Sequence, residues 1–238
     1  MKYNKILLTI FFSVFIVNSS LNAQAVSFFD AGQAFLKLNL EINDQVYTRI
    51  SQYKVLGTQY LFGKQVNGNV YTEKEVGNNV QLSYNTYDQS LEIPLSNGTV
   101  KKTAAEIDSF TFVKDDKSFY KENYNFVSSN KYEPKNPFFL LKLVLGNKYE
   151  FYKKYYTLLG VVSTNYIQSE LKQFDLKYEY YYVDLLSTDK KLQKLKTSKS
   201  SLKKTFSTST QAMALLDSEG FDGNDENILK TLFIVLND

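Results

Sequence analysis

The chain has 238 residues, with 28 lysines and arginines against 25 acidic residues and a formal charge of +3. It contains no histidine and no cysteine, which excludes Ser-His-Asp and Cys-His catalysis, zinc sites of the usual nitrogen and sulfur ligands, and any disulfide. Arg49 is the sole arginine, and without Lys2 and Lys5 the basic residues fall to 26 against 25 acidic ones. That balance argues against a nucleic-acid partner, which calls for a basic excess and leans on arginine.

The chain opens with Lys2 and Lys5, the apolar run Ile6 to Val17, and then polar and small residues through Ala23 and Ala25. The run is about a dozen residues, short of the roughly twenty that a spanning helix needs. The order of these features predicts a cleavable signal peptide over 1–23, cut after Ala23 in preference to Ala25, and an exported product that is periplasmic or extracellular. Without cysteine there is no lipid-attachment residue. The most apolar later stretch, Phe138 to Leu145, is interrupted by Lys142, so a protein integral to an inner membrane is not expected. The candidate strands would close only a small outer-membrane barrel, and the chain does not end on an aromatic strand.

From Ala25 to Tyr53 two periods mix. Phe35, Leu38, Leu40 and Ile42 suit a strand, while Ala31 to Leu40 suits a short helix. From Val55 onward the punctuation is that of β-hairpins, with turns expected at Asn67-Gly68 and at Gly77-Asn78-Asn79. Val80 to Asn85 reads as a strand with Val80, Leu82 and Tyr84 on a core face and Gln81, Ser83 and Asn85 on a wet one. A turn at Tyr87-Asp88-Gln89 leads to a strand at Ser90 to Ile93, and Asn97-Gly98 marks the next reversal. Ile107 to Val113 and Ser118 to Phe126 are further strands. Phe138 to Leu145 and Tyr149 to Tyr156, joined by Gly146-Asn147-Lys148, form a hairpin, as do Tyr178 to Val183 and Lys191 to Leu195 around Ser187 to Lys190.

After Thr197 the pattern turns helical. Ser198 to Ser201 offers N-caps, Leu202 to Leu216 carries apolar residues with an interruption at Ser207 to Thr210, and a second helix from Asn224 or Asp225 bears Ile228, Leu229, Leu232, Phe233 and Leu236 on one stripe. No proline- or glycine-rich linker separates strands from helices. The reading is an α+β fold, mainly antiparallel sheet in hairpins and meander. A β-rich domain over 24–197 is followed by C-terminal helices over 198–238 packed on the same domain. The 19 tyrosines and 18 phenylalanines supply its core.

Gly57-Thr58-Gln59-Tyr60-Leu61, then Tyr84-Asn85-x-Tyr87-Asp88 leading to Leu91-Glu92, then Phe138-Phe139 with Leu143-x-x-Gly146, form a pattern. With the lysine-rich tract Lys199 to Lys204, it resembles a set of uncharacterised, signal-peptide-bearing exported proteins of Bacteroidota. The resemblance spans most of the mature chain and brings no activity with it.

Three segments could carry chemistry. Asp217 to Glu226 combines acids with Gly220 and Gly223, but neither Asp217 nor Asp222 starts the alternating spacing of a calcium loop. The expectation is a helix C-cap at Gly220 and an acidic N-cap on the next helix. Asp88 and Glu92 could act as an acid-base pair in glycoside cleavage, but a turn and strand placement predicts solvent-facing groups. Tyr178 to Tyr182 could stack on a sugar, although alternating tyrosines normally divide between core and surface. No catalytic, cofactor-binding or metal-ligating residue is assigned, and no cofactor. The functional expectation is a non-catalytic secreted or periplasmic binding or envelope-associated protein, its partner an envelope protein or glycan. The alternative is a carboxylate-dependent glycan hydrolase.

Overall fold

The computed structural model describes residues 41–42, 45–46, 54–114, 122–161 and 171–238. The expected signal peptide, most of the stretch 25–53 and the start of the strand expected at Ser118 lie outside them. The chain divides into two compact units, Met1–Lys54 and Val55–Asp238. In the first, β1 (Glu41–Ile42) and β2 (Gln45–Val46) pair antiparallel, Glu41 opposite Val46.

The strands that follow are β3 (Lys54–Leu56), which begins at the last residue of the first unit, and, in the second unit, β4 (Val66–Tyr71), β5 (Val76–Asn85), β6 (Ser90–Leu95), β7 (Gly98–Thr103), β8 (Ser109–Phe112), β9 (Tyr124–Ser128), β10 (Phe139–Leu145), β11 (Tyr149–Val161), β12 (Leu171–Asp184) and β13 (Leu192–Lys194). They form one sheet in the order β13-β12-β11-β10-β9-β8-β4-β5-β6-β7, with β3 beside β12. Two meanders, β4 to β7 and β8 to β13, are joined where β8 pairs antiparallel with β4. Helices α1 (Lys199–Thr205), α2 (Thr210–Asp217) and α3 (Glu226–Asn237) end the chain. The protein is therefore α+β and mainly antiparallel sheet. None of the described helices is long and apolar enough to cross a membrane.

The sheet is strongly curled. In sheet order β10 lies four strand spacings from β5, about 19 Å if the sheet were flat. The Tyr84 ring of β5 nonetheless lies 5.6 Å from that of Phe139 on β10, and 5.5 and 5.4 Å from those of Phe110 and Phe126. The wrap encloses Leu82, Tyr84, Leu91, Phe110, Phe112, Phe126, Phe139 and Leu141. It is latched where Thr157 of β11 donates its N–H to the Thr86 carbonyl (3.1 Å) and the two threonine hydroxyls meet at 2.6 Å.

A second core lies where α1, α2 and α3 cover Phe151 of β11 and Tyr180 and Tyr182 of β12 with Leu202, Phe206, Leu216, Leu229, Leu232, Phe233 and Leu236. Leu143 of β10 packs against both cores. Ser198, Ser209 and Asp225 N-cap the three helices with their side-chain oxygens. At the far end of α3, the Asn237 side-chain oxygen Oδ1 accepts from the Lys148 and Tyr149 N–H groups at 2.9 and 2.8 Å. Its amide donates to the Tyr149 and Phe233 carbonyls. A Cβ on Gly146 would collide with that amide, so the β10–β11 turn and the helix end fit one another.

Three expectations are corrected. Asn67-Gly68 lies inside β4 rather than in a turn, because a side chain at 68 would run into the Thr111 carbonyl of β8 and into Leu82. Gly77-Asn78-Asn79 lies inside β5; the reversal comes earlier, at Thr72 to Glu75, where Thr72 N–H bonds the Glu75 carbonyl and the Thr72 hydroxyl accepts from Glu75 N–H. The wet face of the Val80 to Asn85 strand is closed at its end, with Ser83 4% and Asn85 2% exposed. The chain before β4 crosses over it there: Tyr60 bridges Asn85, Leu61 N–H bonds the Tyr84 carbonyl, and Gln65 N–H bonds the Ser83 hydroxyl.

Candidate functional site

β13 has only three residues, against fourteen in β12. Leu195 still donates its N–H to the Tyr180 carbonyl at 2.8 Å, after which the chain leaves the sheet toward α1. The loop between α2 and α3 returns beside it, and Gly223 comes so close to the Thr197 carbonyl that a Cβ there would collide with it. The early departure of β13 leaves a cleft of about 330 Å³ along β12, bordered by Tyr156, Tyr178, Glu179, Lys194, Thr197 and Asn224.

The groups in this cleft are held firmly. Lys194 Nζ lies 2.6 Å from Glu179 Oε1, and the Tyr181 hydroxyl donates to Glu179 Oε2 at 2.8 Å. Burial pushes the Glu179 carboxyl up, but Lys194 and the Tyr181 hydroxyl outweigh it and hold the group below its ordinary value. The pair is thus ionised and internally compensated. Tyr178 is 51% exposed.

Behind Tyr178 lies an ammonium cage. Lys153 of β11, its side chain only 12% exposed, pairs with Glu226 at the start of α3 at 2.7 Å, and the Tyr180 hydroxyl donates to the same Glu226 oxygen at 3.0 Å. The Lys153 ammonium stands 4.2, 4.8 and 5.6 Å from the ring centroids of Tyr178, Tyr155 and Tyr180, within cation–π range. Burial pushes the Glu226 carboxyl up, yet Lys153, the Tyr180 hydroxyl and Lys230 hold it below its ordinary value. Burial pushes Lys153 down, and Glu226 outweighs that to raise it.

The segments singled out in sequence take definite places. Tyr178, Tyr180 and Tyr182 share one face of β12 by strand alternation, but Tyr180 and Tyr182 are core residues and only Tyr178 is open. Asp88 and Glu92 do converge. The Asn85 amide donates to Asp88 Oδ2 (3.1 Å) and Glu92 Oε1 (3.2 Å), and Lys101 Nζ reaches the same two oxygens at 3.1 and 3.2 Å. Against expectation Glu92 is not solvent-facing. Its side chain is 12% exposed, and the Tyr60 hydroxyl donates to it at 2.9 Å. Burial pushes Glu92 up, but Asn85, Tyr60 and Lys101 hold it below its ordinary value.

In Asp217 to Glu226 the three aspartates have local partners. Asp217 pairs with Lys203, the Asp222 side chain accepts from Asn224 N–H at 2.8 Å, and Asp225 caps α3. The α2 C-cap is Ser218 rather than Gly220, because the Ser218 hydroxyl bonds the Leu215 carbonyl at 2.7 Å and closes the last turn early. Among the described residues no group of three acids is arranged to hold a metal.

Sequence reasoning did not bring Lys194, Tyr156 and Asn224 to Tyr178, nor Lys153 to Glu226. The signal available for Lys153 was its place between Phe151 and Tyr155 in strand alternation, a lysine on an otherwise aromatic face. The chain matches no family model, and neither a curated protein nor a solved structure shows significant similarity to it.

Proposed function

We propose that the protein is exported and acts as a non-catalytic binding protein of the periplasm or cell exterior, taking an envelope protein or glycan in the cleft beside Tyr178. The observation that carries this reading is the cleft itself. It combines an exposed phenol ring, an amide at Asn224 and a compensated Glu179–Lys194 pair on a rigid sheet edge. Such mixed linings orient a ligand by a few polar groups set among apolar surface. The tie of Asp88 and Glu92 to Lys101 favours binding over the alternative, a carboxylate-dependent glycan hydrolase. A glycosidase needs one carboxyl kept protonated as general acid, and Glu92 is held ionised. The N-terminal composition and the resemblance to exported Bacteroidota proteins support the location.

The test is retention of envelope components on the immobilised mature chain, compared with Tyr178→Ala and Asn224→Ala. The reading expects one stoichiometric component, chemically unchanged on elution and lost from both variants. Equal retention by all three proteins, or elution of a cleaved component, would overturn it.

A further inference from the structure

The lining of the cleft and the strand that leads into it narrow the ligand class, an inference that rests on the binding reading above. On the face of β12 that carries Tyr178, alternation also places Phe174 and Leu176, and Leu176 is exposed. Tyr87, itself half exposed, packs edge-on against Phe174 at 5.7 Å. From Phe174 to Tyr178 the strand runs about 13 Å, so an apolar and aromatic ledge leads from Tyr87 into the cleft. The Lys153 ammonium, 4.2 Å from the Tyr178 ring centroid, fixes that ring while leaving it half open. At the cleft end the polar groups are an amide, a threonine and the Glu179–Lys194 pair, whose charges cancel. A charged ligand would have to break that pair. A ligand with apolar faces and many hydroxyls would stack on the ring and bond to the outer lone pairs and protons of the same groups.

We infer that the ligand is a neutral oligosaccharide chain, lying along β12 with one pyranose ring stacked on Tyr178 and bonded by Asn224, and with hydroxyls that reach round the strand edge bonded by Glu179 and Lys194. The length of the ledge calls for a chain rather than a single sugar.

The experiment is isothermal titration of the mature protein with cellohexaose, chitohexaose and maltohexaose, and with the disaccharide of whichever binds. Binding of at least one hexasaccharide is expected, with weaker binding of its disaccharide. Tyr178→Ala should weaken it about tenfold, the worth of one aromatic stack, and Tyr178→Phe should retain it. Thermal melting of each variant verifies folding, and Asn224→Ala, on an exposed loop residue, gives a second readout that does not touch the core. No binding of any hexasaccharide, or binding indifferent to both Tyr178→Ala and Asn224→Ala, would overturn the inference. If an envelope protein or peptide is instead retained through Tyr178, the carbohydrate assignment fails while the binding reading stands. If the hexasaccharide is shortened during the titration, the non-catalytic reading itself fails.

Discussion

Replacing Phe233 by alanine tests how the helices are held to the sheet. Phe233 is fully buried. Its ring stacks on Phe151 at 4.3 Å and 4° and meets Phe206, Tyr182 and Tyr149 at 5.6, 6.2 and 6.5 Å. Three of these four neighbours are anchored in β11 and β12, so they have little freedom to fill the space left behind. The loss should therefore fall in the upper part of the usual range for a buried phenylalanine, about 4 kcal/mol. For a unit of this size that corresponds to a fall in Tm of about 10 °C. The adjacent Ile234 is 53% exposed, and Ile234→Ala should move Tm by no more than about 2 °C. Scanning calorimetry of both variants measures the contrast. Equal shifts would refute the docking of α3 described above.

Four further outcomes are expected. Glu226, Glu179 and Glu92 all have carboxyls held below the ordinary value of 4.5. Their stabilising contribution is present above that value and lost as pH falls through the lower folded one. Tm should therefore drop below about pH 4.5, and Glu226→Gln should flatten the drop; an unchanged pH profile in that variant would contradict the Lys153–Glu226 pairing. Asn237→Ala strips the Lys148 and Tyr149 N–H groups of their acceptor and should cost about 2 kcal/mol in urea unfolding. Gly68→Ala pushes a methyl against a backbone carbonyl and Leu82 and should cost about 1–3 kcal/mol by the same measurement. Millimolar calcium should leave Tm unchanged, since Asp217, Asp222 and Asp225 are engaged locally; a rise would show a bound ion.

Where side chain and backbone signals agreed, the sequence was readable. The hairpin around Gly146 and the α3 stripe lie where spacing placed them, with Leu229, Leu232, Phe233 and Leu236 all buried. The break between α1 and α2 runs from Phe206 to Ser209, one residue ahead of the expected Ser207 to Thr210, with Ser209 as the new cap. Apart from the α2 C-cap, which Ser218 takes through a local bond to the Leu215 carbonyl, the misreadings come from contacts between elements. Gly68 and Gly77 looked like turn residues, but each is set in a strand beside a neighbour that leaves no room for a side chain: the Thr111 carbonyl and Leu82 at Gly68, Val70 at Gly77. Ser83 and Asn85 looked solvent-facing because nothing local records that Tyr60 to Gln65 crosses over them. The cleft was hidden for the same reason. Tyr178 was visible as an aromatic in an alternating run, whereas Lys194 and Asn224 join it only through the departure of β13 and the return of the α2–α3 loop.

The most direct test of the account is an amide NMR titration of the protein without residues 1–23 with the hexasaccharide that binds, with the sugar recovered and sized afterwards. The account predicts shifts concentrated at Tyr178, Glu179, Lys194 and Asn224, and a hexasaccharide recovered intact. Shifts centred on Asp88 and Glu92, with shortened sugar in the recovered sample, would contradict it and point to the hydrolase instead.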